Sequence, residues 1–411
     1  MRGRSRKHRD APGQKEFNFH TAPMETALPR DELALVVQQT NAEPRSYQSR
    51  VIANAVHMFE GTYCNGAGEI EMAARSVMVE SPTGSGKTIM GLLIARLLQS
   101  RHGIRTGWVA MRRNLLAQAT EENRRMGIGV EPLACISMFD KNPPLGIDLL
   151  IVDEAQHDAA ASMAHLHNVI QPRWILGLTA TPFRTDTIKL CFDRVIRDAG
   201  IHQLIQDGFL SEYDHYTIPE WNVSTVAEVY LREPQRWGKS IFFFATIEQC
   251  LELQSKLSAA GVLSELVTGE SDRETQIERF RNGEVPVLIN CLVLTEGFDS
   301  PDLQTVFCRD SGKGPAIQMC GRVLRKHPDV PIKNVVQGKL TRWPFTRVAQ
   351  PHQQWLWESG EWRCLKLNPL INQVSARVRK LVASISTKLP AYVQRKGTKG
   401  RVPRPRMANV G

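Results

Sequence analysis

Residues 81–88 read Ser-Pro-Thr-Gly-Ser-Gly-Lys-Thr, and they stand between a short apolar run at 77–79 and an apolar helical pattern at 89–98. A glycine-rich loop between a strand and a helix is the setting of a P-loop, whose backbone N–H groups surround phosphate oxygens. The strict pattern has Gly at the first position, where this chain has Ser81. A glycine-rich turn without a ligand is the alternative. The pattern therefore predicts a nucleotide-phosphate site.

Short apolar runs that end at polar residues alternate with helical patterns along most of the 411-residue chain. Fully apolar strands of this kind are typical of parallel sheets covered by helices on both faces, and such sheets bind ligands at the carboxyl ends of their strands. We therefore predict an α/β fold with two lobes, at 40–215 and 237–333. The strands are expected at Val77–Val79, Gly107–Met111, Leu149–Val152 and Ile175–Leu178 in the first lobe, and at Ile241–Ala245, Val262–Val267, Val287–Cys291 and Thr305–Cys308 in the second.

The segments outside the two lobes carry the excess of positive charge. The formal net charge is +10, yet residues 1–9 hold five Lys/Arg and residues 371–411 hold ten, in neither case with an acid. Such basic ends either contact nucleic acid or remain solvated tails. The sequence predicts a basic, partly disordered extension at 1–39, a linker at 216–236, a Trp-rich and basic accessory segment at 334–393 and a disordered basic tail at 394–411.

A second motif, Leu149-Leu-Ile-Val-Asp-Glu-Ala-Gln-His157, ends a predicted strand with two carboxylates. Asp153 is a candidate Mg²⁺ ligand, and Glu154 is a candidate to position and deprotonate an attacking water. Acidic pairs at strand ends also occur as charges at helix N-termini, which is the alternative. Because a P-loop precedes the pair in the same lobe, we expect the carboxylates to lie at the phosphate site.

A third motif, Gln318-Met-Cys-Gly-Arg-Val-Leu-Arg325, lies in the second lobe. In a helix, Gln318, Arg322 and Arg325 would share one face. A glycine inside a helix costs about 1 kcal/mol relative to alanine, so Gly321 indicates that another group approaches closely there. Arginines on a separate lobe can act as arginine fingers on a γ-phosphate, whereas an ordinary solvated helix face is the alternative.

Composition excludes several other classes of protein. No apolar run approaches the ~20 residues that a membrane-spanning helix needs, and no apolar segment follows the basic N-terminus as in a secretory signal. The eight cysteines are scattered without a Cys-x-x-Cys pair, which argues against a zinc ribbon or a disulfide framework. We therefore expect a cytoplasmic protein that is not associated with a membrane.

The three motifs together resemble those of the superfamily 2 helicases, the DEAD/DEAH-type ATPases. Further stretches resemble helicase motifs in the family's order, so the resemblance covers about residues 40–330. Within the superfamily, Asp-Glu-Ala-Gln-His and Thr-Glu-Gly-Phe-Asp look most like the RadD-like, type III restriction-translocase branch. The further stretches are Pro44–Gln48 as the adenine-reading element, Val109–Gln118 as motif Ia, Thr179–Arg184 as motif III, Lys239–Cys250 as motif IV and Leu294–Pro301 as motif V.

The resemblance implies two RecA-like lobes that hold ATP and Mg²⁺ in the cleft between them. The residues expected to act in hydrolysis are Lys87, Asp153, Glu154, Gln318, Arg322 and Arg325. The residues expected to contact ATP are Gln48, which would read the adenine, Pro82, Thr83, Gly84, Ser85, Gly86, Lys87, Thr88, Gly297 and Asp299. Thr88 and Asp153 would hold Mg²⁺. His157, Thr179 and Thr181 would couple the ATP state to lobe movement.

The resemblance also implies a nucleic-acid strand that crosses both lobes on the face opposite the ATP. Arg112, Arg113 and Gln118 are the candidate contacts from motif Ia, and ordinary surface charge is the alternative for each arginine. Contacts of this kind go mostly to phosphates and carry little sequence information. Four of the eight Trp residues lie at 343–362, where they either stack on bases or, as we favour, form a small core.

The leading functional prediction is an ATP-dependent helicase or translocase that couples hydrolysis between two lobes to movement along a strand. DNA is favoured over RNA because Gln156 stands where the DEAD-box RNA branch has a second Asp. The alternatives are a duplex DNA translocase or remodeller without unwinding, an RNA helicase and a nucleotide-gated nucleic-acid-binding protein. A protein partner is expected at the C-terminal segment, and the oligomeric state is left open.

Overall fold

The computed structural model describes residues 30–157, 161–182, 192–269, 271–291, 298 and 300–365. Within these residues the chain forms two sheets flanked by helices, and the compact unit that contains them ends at Cys364. The predicted α/β class with two parallel-sheet lobes is confirmed. None of the described helices is long and apolar enough to cross a membrane. The basic ends at 1–9 and 371–411 lie outside the described residues.

The first lobe is a six-stranded sheet between two layers of helices. Its strands are β1 (Ser76–Glu80), β2 (Thr106–Ala110), β3 (Leu133–Ser137), β4 (Leu149–Asp153), β5 (Trp174–Thr179) and β6 (Arg194–Arg197). Its helices are α1 (Arg30–Gln38), α2 (Ser46–Glu60), α3 (Lys87–His102), α4 (Arg113–Arg125) and α5 (Ala161–Ile170). The strand order is β3-β2-β4-β5-β1-β6, and all neighbours are parallel.

Both faces of this sheet are buried because the middle residues of its central strands are apolar. Val77 and Val79 of β1 pack into one hydrophobic core, while Met78 packs into a second core on the opposite face. The same alternation holds in β2, where Trp108 joins the first core and Val109 the second. Apolar runs therefore correctly predicted strands that are covered on both sides.

The second lobe is an eight-stranded sheet with the order β14-β13-β7-β12-β11-β8-β10-β9. Its strands are β7 (Glu212–Ile218), β8 (Ser240–Phe244), β9 (Ser264–Val267), β10 (Val287–Cys291), β11 (Thr305–Cys308), β12 (Ile332–Gly338), β13 (Gln354–Glu358) and β14 (Glu361–Leu365). Its helices are α6 (Ile201–Gln206), α7 (Val223–Arg232), α8 (Pro234–Trp237), α9 (Ile247–Ala259), α10 (Arg273–Arg281) and α11 (Lys313–Gly321).

The sheets divide the chain earlier than the sequence indicated. β7 pairs with β12 in the second sheet, so this lobe includes part of the interval expected as first lobe at 40–215. The interval expected as a linker at 216–236 contains the end of β7 and helix α7. The accessory interval at 334–393 likewise supplies most of β12 and all of β13 and β14. The physical reason is that β7 alternates polar and apolar residues, unlike the fully apolar strands that marked the lobes.

Candidate nucleotide-binding site between the two lobes

The glycine-rich loop after β1 has the backbone conformation that phosphate binding requires. Gly84 and Gly86 both lie in the left-handed region, with φ of 80° and 79°, and α3 begins directly afterwards at Lys87. The Lys87 ammonium group donates to the carbonyl oxygens of Ser81 and Pro82, each at 3.3 Å. The loop thus curls around its own lysine at the N-terminus of a helix, where an anion is stabilised.

Two side chains of α2 hold this loop from behind. Tyr47 Oη and Gln48 Nε2 both donate to the Ser85 carbonyl oxygen, at 2.7 and 2.8 Å. Gln48 Oε1 accepts a hydrogen bond from the Arg45 backbone N–H at 2.8 Å. A Cβ at Gly86 would collide with the Gln48 amide. The residue expected to read the adenine therefore packs against the phosphate loop, with both ends of its amide engaged.

The two carboxylates follow β4 and lie at the same edge of the sheet as the loop. β5 separates β1 from β4, and its last residue, Thr179, is aligned with Glu80 at the end of β1. Glu154 has a φ of 52°, which is uncommon for a residue with a side chain, and its N–H donates to Asp153 Oδ1 at 3.0 Å. Strained backbone of this kind recurs at functional sites.

Side chains from both lobes line one cavity of about 280 Å³. The first lobe contributes Lys87, Thr88 and both carboxylates, and the second lobe contributes Arg322 and Arg325. Arg322 Nη1 donates to the Phe298 carbonyl oxygen at 2.6 Å. The predicted site residues of the two lobes are thus brought together.

The aliphatic part of Arg325 lies over the phosphate loop, since a Cβ at Gly84 would be 3.2 Å from Arg325 Cγ. Thr83 of the same loop approaches Gly321, where a Cβ would lie 3.5 Å from the Thr83 Cβ. This is the close approach that the helical glycine indicated. Helix α11 ends at Gly321, however, so Arg322 is its C-cap residue and Arg325 lies in the bend beyond it. Val323 and Leu324 between the two arginines are buried in the core of the second lobe.

The cavity places cationic side chains of both lobes beside the carboxylates of the first lobe. Burial lowers the pKa of Lys87, the carboxylates of Glu154 and Asp153 oppose that shift, and Arg322 and Arg325 add to it. Burial also lowers the pKa of Arg325 to about 10, and Arg281 contributes to this decrease. Three cationic side chains crowded into one buried cleft are stabilised when phosphate oxygens neutralise them. The donor set therefore fits a nucleoside triphosphate.

The residues that line the cavity also indicate how a divalent cation would be held. Among the residues that the structure describes, no group of three or more His, Cys, Asp or Glu could hold a metal ion by itself. Mg²⁺ in nucleotide sites uses one or two protein oxygens together with phosphates and water. Thr88 and Asp153, which both line the cavity, fit that requirement.

A chain of hydrogen bonds runs from the first-lobe carboxylate to the second lobe. Gln156 Nε2 donates to Glu154 Oε2 at 3.1 Å, and Thr179 Oγ1 donates to Gln156 Oε1 at 2.7 Å. The Thr181 N–H donates to Thr179 Oγ1 at 3.0 Å, and Gln318 Nε2 donates to Thr181 Oγ1 at 3.2 Å. Gln156 was not among the predicted site residues, although it stands in the second motif.

The structure separates the three predicted nucleic-acid contacts. Arg112 and Arg113 lie at the carboxyl end of β2, where α4 begins. Gln118 instead lines the nucleotide cavity, together with Leu115 and Glu122 on one face of α4. The sequence prediction missed this because it assigned motif Ia as one unit. Leu115, Gln118 and Glu122 are three and four residues apart and share one face of α4, whereas Arg112 and Arg113 lie where the helix begins.

Of three further predicted residues, the structure describes the backbone of one. His157 belongs to the short 3₁₀ helix Ala155–His157. Gly297 and Asp299 are outside the described residues, although Phe298 between them lines the cavity. Two residues that the sequence did not single out also belong to the site, namely Tyr47 behind the loop and Glu122 on α4.

Comparisons with known proteins agree with this arrangement. The family model described as "Type III restriction enzyme, res subunit" matches residues 41–131, and the model described as "Helicase conserved C-terminal domain" matches residues 221–327. Together they cover the phosphate loop and the segment that carries Arg322 and Arg325. These matches, together with the two-lobe P-loop site, support a superfamily 2 helicase. Within that superfamily they point to the type III restriction and Irc3-like branch.

Individual relatives are distant. The "Putative ATP-dependent helicase IRC3" of Saccharomyces cerevisiae is 24% identical over 375 residues, which cover 75% of this chain and 54% of that protein. A "51.5 kDa protein" of a Lactococcus phage is 26% identical over 266 residues, covering 56% of this chain and 58% of that protein. The chain thus spans about half the length of these curated relatives.

Among solved structures, Saccharomyces cerevisiae Dbp5 bound to RNA and ADP BeF3 superimposes with a TM-score of 0.53 at 16% identity. The superposition covers 83% of this chain and 94% of that chain. At this identity the likeness shows the fold alone, which is that of two RecA-like lobes.

Proposed function

We propose that the protein is a DNA-dependent ATPase that converts ATP hydrolysis into movement along a strand, as a helicase or translocase. The observation that supports this most directly is the single cavity lined by Lys87 and Glu154 of one lobe and by Arg322 and Arg325 of the other. A site completed only by both lobes makes hydrolysis depend on how the lobes meet. That dependence is what a motor requires.

Each side chain has a role that its position supports. The phosphate loop and Lys87 hold the β- and γ-phosphates, and Glu154 positions a water molecule and accepts its proton. Arg322 and Arg325 stabilise the charge that develops on the γ-phosphate. Mg²⁺, held by Thr88 and Asp153, would supply charge neutralisation between the phosphate groups.

The hydrogen bonds from Glu154 through Gln156 to Gln318 connect the site of hydrolysis to the second lobe and can couple the two. Loss of the γ-phosphate removes the anion that holds the two arginines against the loop. The lobes then separate, and repeated closing and opening moves them along the strand. DNA is favoured as that strand because the motif has Gln156 in place of Asp, although Dbp5, the solved neighbour, was bound to RNA.

The test is steady-state ATPase activity measured without polymer and with single-stranded DNA, duplex DNA or RNA. We expect strong stimulation by single-stranded DNA, and a loss of at least about 100-fold in Lys87→Ala, since that ammonium group contacts the transferred phosphate. Lys256→Ala, which removes a partly exposed lysine of α9 far from the cavity in sequence, is the matched control and should behave as wild type. Strand-displacement assays then separate unwinding from translocation along duplex DNA. ATP binding without turnover on any polymer would refute the motor and favour a nucleotide-gated binding protein.

A further inference from the structure

The loop between β3 and β4 presents an exposed aromatic ring. Phe139 is 61% exposed, although Met138 beside it is only 3% exposed. The loop folds Met138 into the second core of the first lobe and turns Phe139 outward. An aromatic ring in this position offers its face to a flat ligand from outside the chain.

The backbone around Phe139 is held in place by hydrogen bonds. The Phe139 N–H donates to Ser137 Oγ at 3.3 Å, and the Asp140 N–H donates to the Ser137 carbonyl oxygen at 2.9 Å. Farther along, the Lys141 carbonyl oxygen lies 3.1 Å from His165 Nε2 of α5. The ring is therefore presented on a fixed turn, which lowers the entropy lost when a flat ligand packs against it.

The turn lies beside the predicted phosphate contacts. The Met138 N–H donates to the Ala110 carbonyl oxygen at 3.0 Å, which joins the turn after β3 to the end of β2. Arg112 and Arg113 follow directly, and Lys141 is exposed in the same loop. β2 and β3 form one end of the sheet, whereas the nucleotide cavity lies at the ends of β1 and β4. Cations and an exposed ring are thus grouped at a part of this edge that the nucleotide does not use.

We propose that Phe139 stacks on an unpaired base of the strand whose phosphates Arg112 and Arg113 hold. This inference rests on the proposed function, because it requires a nucleic-acid strand on this edge. Stacking on an aromatic ring accepts any base, and alanine substitution of such rings weakens binding by about 1–3 kcal/mol per base. The contact would favour single strands over duplex, since paired bases do not offer their faces.

Binding of a fluorescein-labelled oligothymidylate, followed by fluorescence polarisation of the full chain, tests the proposal. Phe139→Ala and Phe139→Leu should each weaken binding roughly tenfold, because leucine keeps an apolar surface but not an aromatic face. Phe139→Trp should bind within roughly twofold of wild type. Leu145→Ala, which truncates a 65% exposed apolar side chain in the same loop, is the matched control and should leave affinity unchanged.

The decisive comparison uses a strand of the same length whose central nucleotides are abasic. Wild type and Phe139→Ala should bind this strand equally, because phosphates remain while bases are absent. An equal loss on both strands, or no loss on the base-bearing strand, would overturn the stacking role. Wild-type protein that binds neither strand, with an ATPase that no polymer stimulates, would refute the proposed function itself. Oligouridylate, run alongside, distinguishes an RNA from a DNA track.

Discussion

Gln48 illustrates how a single side chain can hold a candidate phosphate-binding loop in place. Its amide joins the start of α2 to the Ser85 carbonyl oxygen, and Tyr47 donates to the same oxygen. An amide held at both ends has little freedom to rotate toward a purine. We therefore interpret Gln48 as a residue that holds the phosphate loop.

This interpretation predicts that Gln48→Ala raises the KM for ATP and for GTP by the same factor, roughly fivefold, as expected for the loss of its one hydrogen bond to the loop. Steady-state hydrolysis of both nucleotides measures the effect. Tyr47→Phe, which keeps the ring but removes the other donor to Ser85, should give a similar and equally non-selective change. A fall in the preference for ATP over GTP in Gln48→Ala alone would instead support adenine reading.

Residues of the site were predictable where the motif is local. Lys87, Asp153 and Glu154 sit within a few residues of a strand end, so the register of a parallel sheet carries them to one edge. Local motifs did not predict the helix face on which Gln118 lies, nor that α11 ends before Arg322. Both depend on packing between segments that are far apart in sequence.

At the level of elements, β13 and β14 explain the tryptophans near the end of the described chain. The two strands are joined at Ser359 and Gly360, both with positive φ, as in a tight hairpin. Trp357 is 6% exposed and packs within 5.0 Å of Trp362, measured between ring centroids. Trp362 in turn contacts the buried Trp237 of the second lobe.

The preference for a small core over base stacking is therefore confirmed for three of the four tryptophans at 343–362, which join the core of the second lobe. These three are Trp355, Trp357 and Trp362. Trp343 lies apart, with Lys313 and Arg347 over its ring. The sequence suggested a small core of their own, whereas these tryptophans extend the core of the second lobe.

Trp357→Ala is accordingly expected to destabilise the second lobe by about 3 kcal/mol, because it leaves a cavity in a packed aromatic cluster. Thermal denaturation followed by tryptophan fluorescence should show a lower midpoint for this variant. Trp343→Ala, which removes a ring outside the cluster, serves as the comparison and should shift the midpoint less. Unchanged stability together with weakened DNA binding would contradict the packing role of Trp357.

Strands with charged or alternating residues were the elements that sequence patterns did not find. β6 reads Arg-Val-Ile-Arg, and β7 reads Glu-Tyr-Asp-His-Tyr-Thr-Ile. The polar side chains of β7 are nevertheless accommodated, since His215 Nε2 lies 3.1 Å from Gln337 Oε1 of β12. Such pairing is decided by a partner far along the chain, which local composition does not reveal.

At the scale of the whole molecule, a hydrogen bond joins Gln318 of the second lobe to Thr181 of the first. Further hydrogen bonds connect Thr181 through Thr179 and Gln156 to Glu154. Thr181 is 5% exposed, so the bond is partly shielded from water. Hydrogen bonds are stronger in such surroundings, and residues linked in one network do not act additively. Removing the side chain of Thr181 or of Gln318 should therefore weaken the coupling between ATP hydrolysis and the second lobe.

We predict that Thr181→Val and Gln318→Ala each lower DNA-stimulated kcat about tenfold, and that the double variant is no slower than either single variant. The KM for ATP should change little, because neither side chain belongs to the phosphate loop. ATPase assays of all four proteins complete the cycle. Strictly additive losses would show that the two residues act independently and that the bond does not carry the coupling.

The position of β7 between β12 and β13 also determines how the chain can be built on a ribosome. β7 hydrogen-bonds with a strand 122 residues downstream, which at about 5–20 residues per second takes roughly 6–24 s to synthesise. The first sheet already has all its strands once β6 has emerged, whereas β7 then waits with both edges open to other chains. The late strands β12 and β13 end that exposure. The time between the first and last strands of the second lobe is therefore the interval in which a nascent chain most needs protection from its neighbours.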